Sequence, residues 1–501
     1  MPLDVAIPVL FGTAKSQASV RGILVSVFVL LLSAIGYLWA NMSPWFPFHW
    51  LMVAGLLVHA MVALTSTGGN FLYIFRYFLV WLLIFGTAVV WALFDGVVLV
   101  APFGVEYQTP EATRLVVLAG VWSLCGSLIG WHLAMLNSPR GTATSALGDV
   151  LYWYRRRLLR GGAILAVGFS VLYVIKAGGL LGEGSAYGSN VADLGFEFGV
   201  FNIFHFTGIA LLLLAGLAGD RVSPTLVWLA IASLIPGILT GSRADFLPQP
   251  FVLLLVLANG RVRQLISHPR LAKWIAYVVG AGALLFLGYV LAFVVAFWRQ
   301  GIGLTAAIQA MQSDGKGLLI NEIFGHPMLY LETGNMMLGG LYSVIVNTMA
   351  GWDNYLYGRS YLDYFLIAPP AFLGLPRPLG LEWSMNIGDE VMAIGGVFEV
   401  AEAYFNFGLA GCLLVSLFIS YVFGRVLKYG LARGNLLVLT WYLVAGFMSF
   451  RAIWYQNFGY FRIATVMLVL YGLSLFFFRW FSRNHARPID HTYSMFGTAP
   501  Q

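Results

Sequence analysis

Four carboxylates, Asp389, Glu390, Glu399 and Glu402, stand within the run GDEVMAIGGVFEVAEAYFNFGLAG at 388–411, which leads directly into a long apolar stretch. Charge set against hydrocarbon is costly, and it marks a pathway or a reaction site. A carboxylate in such a place can act as a general base if it comes within hydrogen-bond reach of the hydroxyl it activates. Glu399, Glu402 and Asn406 are separated by three and four residues, so they share one face if 398–406 is helical. That face is expected to project from the membrane end of the following span, with Glu402 closest to the membrane and the first candidate for the base. Asp389, Glu390 and Glu399 are supporting or competing acids. A helix dipole also attracts acids to a first turn, an effect that explains one acid well and four poorly.

The cations that could meet an anionic ligand are five arginines. Arg243 follows Thr240, Gly241 and Ser242 in LTGSRADFLPQP at 239–250. A guanidinium presents a planar fork of donors matched to phosphate oxygens, and Ser242 and Gly241 allow backbone N–H groups to approach the same anion. The alternative for Arg243 is an outer-leaflet arginine snorkelling beside Asp245, and the tetrapeptide alone leaves the two level. Arg299, Arg377 in LPRPLG, Arg451 and Arg462 also stand close to apolar segments. His326, in FGHP, could act as a base near neutral pH or be an ordinary turn residue. His59, His132 and His205 fall inside apolar runs and are expected to be hydrogen-bonded packing residues. No Gly-rich nucleotide loop, HExxH or DxD-type pair occurs, so the sequence implies neither a nucleotide nor a metal, and no other cofactor.

The elements that must position these groups are membrane helices. Of 501 residues 60% are hydrophobic and 10% charged, and mean hydropathy is +0.83, more apolar surface than a soluble protein of this length can hide. Runs of roughly 17 to 25 apolar residues suffice to cross a bilayer. They predict an all-α polytopic protein of about twelve transmembrane helices, centred near 31, 57, 82, 125, 170, 208, 231, 254, 286, 417, 442 and 470. The first apolar run has no small-residue cleavage site after it and is expected to be retained as a helix. Cys125 and Cys412 lie in apolar helical runs and are expected to pack as small hydrophobes.

Basic residues collect in loops that stay in the cytoplasm. With the N-terminus inside, 19 of the 28 basic residues fall on that side, Arg76 among them, and acids divide the other way. Both termini are then cytoplasmic, and the net charge of +7 needs no nucleic-acid partner. The basic run YRRRLLR at 154–160 reads as an anchor touching anionic headgroups. The chain divides into helices 1–9 at 1–297, a long external loop at 298–406, helices 10–12 at 407–480 and a cytoplasmic tail at 481–501. Within the loop, 335–351 is too short to span and 360–376 is broken by Pro369 and Pro370, so both are expected to be interfacial helices.

Three short segments, TGSRADF at 240–246, YGRSYLDYFLIAPPAFLGLPRP at 357–378 and GGVFEVAEAYFNFGLAG at 395–411, resemble the Wzy-type O-antigen and oligosaccharide repeat-unit polymerases of bacterial inner membranes. The last looks like that family's closing "GE.Y.NFG..G" pattern, with Ala401 before the acid where Gly is commoner. About twelve spans with one long periplasmic loop before the last three is also a similar plan. The chain departs from the family at Ala368-Pro369-Pro370, where a hydrophobic residue and Pro-Arg are usual, which leaves Arg377 as the nearest replacement for the basic residue.

The resemblance implies a GT-C-like, metal-independent glycosyltransferase of the inner membrane. It would transfer a growing chain from one undecaprenyl-pyrophosphate carrier onto a lipid-linked repeat unit at the periplasmic face, with inversion if one displacement occurs. Its partners would be that donor and acceptor, the bilayer, a chain-length regulator and a flippase. Glu402 would be the base, and Arg243, Arg299, Arg377, Arg451, Arg462, Ser242 and Asn406 would bind substrate. Two other classes fit less of the sequence. One is an O-antigen ligase, which would depend on His326. The other is a transporter or flippase, which would use charges buried within spans.

Overall fold

The computed structural model describes residues 16–43, 45–67, 70–93, 110–136, 142–176, 195–217, 340–351, 355–372 and 398–455, with scattered positions between 460 and 472. Among them the regular structure is entirely helical: α1 (Ser16–Met42), α2 (Phe48–Ser66), α3 (Phe71–Leu93), α4 (Pro110–Met135), α5 (Thr142–Lys176), α6 (Gly195–Leu217), α7 (Arg359–Phe372), α8 (Glu399–Arg433) and α9 (Leu436–Tyr455). A further helical stretch covers 340–349. Five helices are long and apolar enough to cross a membrane, at Gln17–Met42, Phe48–Ser66, Leu72–Leu93, Pro110–Met135 and Glu399–Arg433. They match the predicted spans near 31, 57, 82, 125 and 417. Shorter apolar helices at Ile203–Gly216 and Leu436–Phe447 stand where spans were expected near 208 and 442. The predicted spans near 231, 254 and 286 lie outside the described residues.

The chain forms two compact units, one of Met1–Leu10 with Leu147–His326 and one of Phe11–Ala146 with Pro327–Gln501. In the first, α5 and α6 run antiparallel with small residues between them. A β-carbon on Gly162 would stand 2.9 Å from the Gly208 carbonyl oxygen. Ser170 Oγ meets His205 Nδ1 at 2.8 Å, and Phe169 stacks on Phe204 with ring centroids 4.7 Å apart. The YRRRLLR run is helical throughout, within α5.

In the second unit α1 shows why these helices belong together. Ser19, Gly22, Ser26, Val29, Ser33, Gly36 and Ala40 alternate by three and four residues and are all buried. Leu24, Phe28, Leu31, Ile35 and Leu38, on the opposite side, are exposed. Small residues inside and large apolar ones outside reverse the pattern of a water-soluble helix. In lipid the outward side chains lose nothing, and association relies on close backbone approach and interhelical hydrogen bonds.

The same logic joins α4 to α8. Gly126 and Gly130 lie so close to the Leu413 and Leu417 carbonyls that a β-carbon on either would collide. Between them Ser123 Oγ meets Ser416 Oγ at 2.7 Å and Ser127 Oγ meets Ser420 Oγ at 2.8 Å. Residue numbers rise together along this contact, so the two helices are parallel. α3 runs antiparallel to α4, with Tyr73 stacked on Trp131 and donating or accepting at Ser127 Oγ, 3.2 Å away. The turn into α9 is closed by Gly434 in the left-handed region, and Asn435 Oδ1 accepts from the N–H groups of Leu437 and Val438. α7 corrects one expectation: it continues through Pro369 and Pro370 to Phe372. Both prolines fall in its last turn, where the missing N–H groups remove only the end of the hydrogen-bond ladder.

Candidate functional site

α8 is two helices joined by a reversal. Phe407 (φ −145°, ψ 17°) and Gly408 (φ 63°, ψ −151°) leave the helical region, and Gly408 adopts a φ that a side chain would strain. The residues before the break fold back along those after it. Cys412 Sγ lies 3.6 Å from the Val400 carbonyl oxygen, and a β-carbon on Gly411 would collide with the Ala403 carbonyl. In a straight helix, rising 1.5 Å per residue, these pairs would be about 12 Å or more apart along the axis. The peptide N–H groups of Leu356 and Tyr357 donate to the Phe405 and Asn406 carbonyls, each at 3.0 Å. They satisfy acceptors that the break leaves without a helical partner.

The short arm 399–406 carries the predicted face, and it is helical as expected. The face does not project outward, however. Glu402 and Asn406 are wholly buried, and Glu399 is 5% exposed. The reversal turns the arm into the bundle, where a straight α8 would have carried it away. α7 lies along the arm, and Ser360 Oγ donates to Glu402 Oε1 at 2.9 Å. Asn406 Nδ2 donates to Ser360 Oγ and to the Glu402 carbonyl, both at 2.8 Å. Those two bonds orient the amide and leave Asn406 Oδ1 as a buried acceptor with no hydrogen-bond partner. Tyr364 completes the surround. Burial pushes its phenol well above the ordinary range, and the neighbouring Glu402 carboxylate, with which it shares a hydrogen bond, raises it further. The phenol therefore stays protonated and available to donate to that carboxylate.

At the foot of the arm Glu399 meets Arg76 of α3. Nη2 of Arg76 donates to both carboxylate oxygens at 2.8 Å, and Nε donates to Tyr460 Oη at 3.0 Å. A water-sized cavity lined by Leu72, Tyr73, Arg76, Ser420, Phe423 and Ser449 lies beside the guanidinium. The expectation that Arg76 belongs with the cytoplasmic loop charges is corrected here, since it is buried within the bundle and ion-paired. Its partner is 323 residues away in sequence, so no local pattern names the pair. A signal was present nonetheless, because Arg76 is a lone charge in the apolar run FLYIFRYFLVW, and an ionisable residue inside a span marks a site with a partner. Ser360 and Tyr460 were likewise missed, and their residue types carry no comparable signal.

Of the sequence-predicted site residues, Glu399, Glu402 and Asn406 share the arm. Asp389, Glu390, Ser242, Arg243, Arg299, Arg377 and Arg462 lie outside the described residues, as does the side chain of Arg451 on α9. The span histidines have the packing role expected of them. His59 bonds Ser26 and Tyr77, His132 bonds Ser66, and His205 bonds Ser170. Cys125 and Cys412 are free and buried. No group of three or more metal-ligating side chains occurs among the described residues.

Fold and site together define a helical membrane protein with two carboxylates, Glu399 and Glu402, buried in the short arm of a broken helix. No family model matches the chain, and no characterised protein and no solved structure is significantly similar to it.

Proposed function

We propose that this protein is a membrane glycosyltransferase that polymerises lipid-linked oligosaccharide repeat units, with Glu402 as the general base. The reading starts from the resemblance to the Wzy-type polymerases. It is supported above all by one observation: two of the three segments that carry the resemblance pack on each other around a buried carboxylate. Tyr357 and Ser360 of the first bond Asn406 and Glu402 of the second. Beside Glu402 the unpartnered Asn406 Oδ1 is an acceptor waiting for a donor, which a sugar hydroxyl supplies. For the hydroxyl to be deprotonated it must come within hydrogen-bond reach of a Glu402 carboxylate oxygen, beside Ser360 and Tyr364 or in place of one of them. Arginines would neutralise the departing lipid pyrophosphate, and Arg243 is the first of them. Donor and acceptor would be undecaprenyl-pyrophosphate-linked glycans at the outer face of the inner membrane, in a GT-C-like frame of about twelve spans with both termini cytoplasmic.

The deciding experiment uses purified protein and lipid-linked repeat units. A ladder of products supports polymerase, and transfer to lipid A core without a ladder means ligase. Arg243→Lys keeps the charge and loses the fork, so it is expected to weaken the donor complex by about 1 to 3 kcal/mol. Full activity in both Arg243→Lys and Arg243→Ala removes Arg243 from the site. Reporter fusions at Gly317 and at the C-terminus are expected on opposite sides of the membrane, and signals on the same side contradict the orientation.

A transporter or flippase is the second reading. An ion pair inside the bundle and a broken helix are features that transport sites share. Flux of lipid-linked glycan in proteoliposomes that form no ladder would decide for it.

A further inference from the structure

We propose that Arg76 is a positioning residue: its ion pair with Glu399 holds the 399–406 arm at the depth at which Glu402 meets Ser360 and Tyr364. The role assigned to Glu402 rests on the polymerase reading; the hold on the arm does not.

The arm spans two turns and is linked to its surroundings at three heights. At the top, the Leu356 and Tyr357 amides hold its last carbonyls. In the middle, Ser360 bonds Glu402 and Asn406. At the foot, Arg76 holds Glu399 through two bonds of 2.8 Å. The upper two links come from the segment just before α7 and from α7 itself, so they tie the arm only to 356–360. Arg76 alone of the three belongs to α3, which packs against α2, α4 and α9. Of the three links it is therefore the one that reaches the bundle helices beyond α8 itself. Nε of Arg76 is in turn fixed by Tyr460, so the guanidinium cannot pivot to follow a displaced carboxylate without breaking that bond. A side chain so constrained sets height as well as charge balance.

Removing one partner of a buried ion pair leaves an uncompensated charge, whereas replacing both by apolar residues of similar size is commonly neutral or stabilising. This asymmetry provides the test. The protein holds two cysteines, so Cys125→Ala with Val400→Cys leaves two thiols, the native Cys412 and one on the arm at the residue whose carbonyl oxygen lies 3.6 Å from Cys412 Sγ. A short, membrane-permeant bis-maleimide added to the full-length protein in proteoliposomes is expected to join them, read by intact mass as one reagent bound to both thiols, a mass that two single adducts do not give. Arg76→Met and Glu399→Leu, singly, are expected to lose most of this cross-link. They are also expected to lower polymerisation on the order of 10²-fold, because a shift of about 1 Å in a reacting group costs that much. The double variant Arg76→Met/Glu399→Leu is expected to restore both.

The pH–rate profile separates positioning from mere loss of folded protein. A smaller folded fraction lowers the whole curve, whereas a displaced base changes its shape. The acid limb is expected to move in each single variant and to return in the double. Among the described residues the titratable groups facing the arm are Tyr355, Tyr361, Asp363 and Tyr364 from the segment before α7 and from α7, Arg76 from α3, Cys412 from the long limb of α8, Tyr460, and Glu399 and Tyr404 on the arm itself. An unchanged cross-link in both single variants overturns the proposal. So does a double variant that cross-links but stays inactive, since Arg76 or Glu399 would then contact substrate directly. If the parent protein forms no ladder, the polymerase reading fails, and the cross-link still decides whether Arg76 holds the arm.

Discussion

Glu402→Gln is expected to bind lipid-linked glycan and form almost no ladder. The substitution preserves shape and one acceptor oxygen, so Ser360 can still donate to the side chain and the arm stays seated. What it removes is the capacity to take a proton. Loss of a positioned general base costs on the order of 10² to 10⁴ in rate. The buried setting makes the comparison clean, since Glu402 has no exposure through which bulk water could substitute for the lost carboxylate. Binding of radiolabelled repeat unit and ladder formation should be measured on the same preparation, because the expected result is a loss of the second with the first retained. His326→Ala is the control, expected to keep substantial activity under the polymerase reading and to fail under the ligase reading. Normal polymerisation by Glu402→Gln together with a dead His326→Ala would falsify both the base assignment and the preference for polymerase over ligase.

Gly126→Ala and Gly130→Ala are expected to destabilise the protein, against the usual sign for glycine in a helix. Alanine is the better helix former by about 1 kcal/mol, so an unobstructed Gly→Ala change stabilises. Gly168 in α5 is such a position, with nothing within 4 Å of the added β-carbon. At Gly126 and Gly130 the added carbon meets the backbone carbonyls of Leu413 and Leu417. Backbone cannot rotate aside as a flexible side chain does, so α4 and α8 must separate and loosen the Ser123–Ser416 and Ser127–Ser420 hydrogen bonds. Overpacking of this kind typically costs about 1 to 3 kcal/mol, which exceeds the propensity gain. Thermal unfolding in detergent should therefore rank Gly168→Ala at or above the parent, and Gly126→Ala and Gly130→Ala below it. Equal midpoints for the three variants would contradict the close parallel packing of α4 and α8.

The sequence by itself determined that this is a helical membrane protein, because hydropathy over a run of some twenty residues depends only on local composition. It also placed the helical face shared by Glu399, Glu402 and Asn406, since a spacing of three and four residues is a property of one helix. It did not determine which way that face points. Gly408 is one of 57 glycines, and nothing in its immediate neighbours announces a left-handed turn that folds the arm back into the bundle. That single backbone reversal separates an outward row of solvated acids from a buried network. The partners were beyond local reading for the same reason. Arg76 and Glu399 meet only because α3 packs on α4 and α4 on α8, which brings distant segments to one depth. Burial, pairing and orientation depend on contacts between such segments, and those were decided by the tertiary structure.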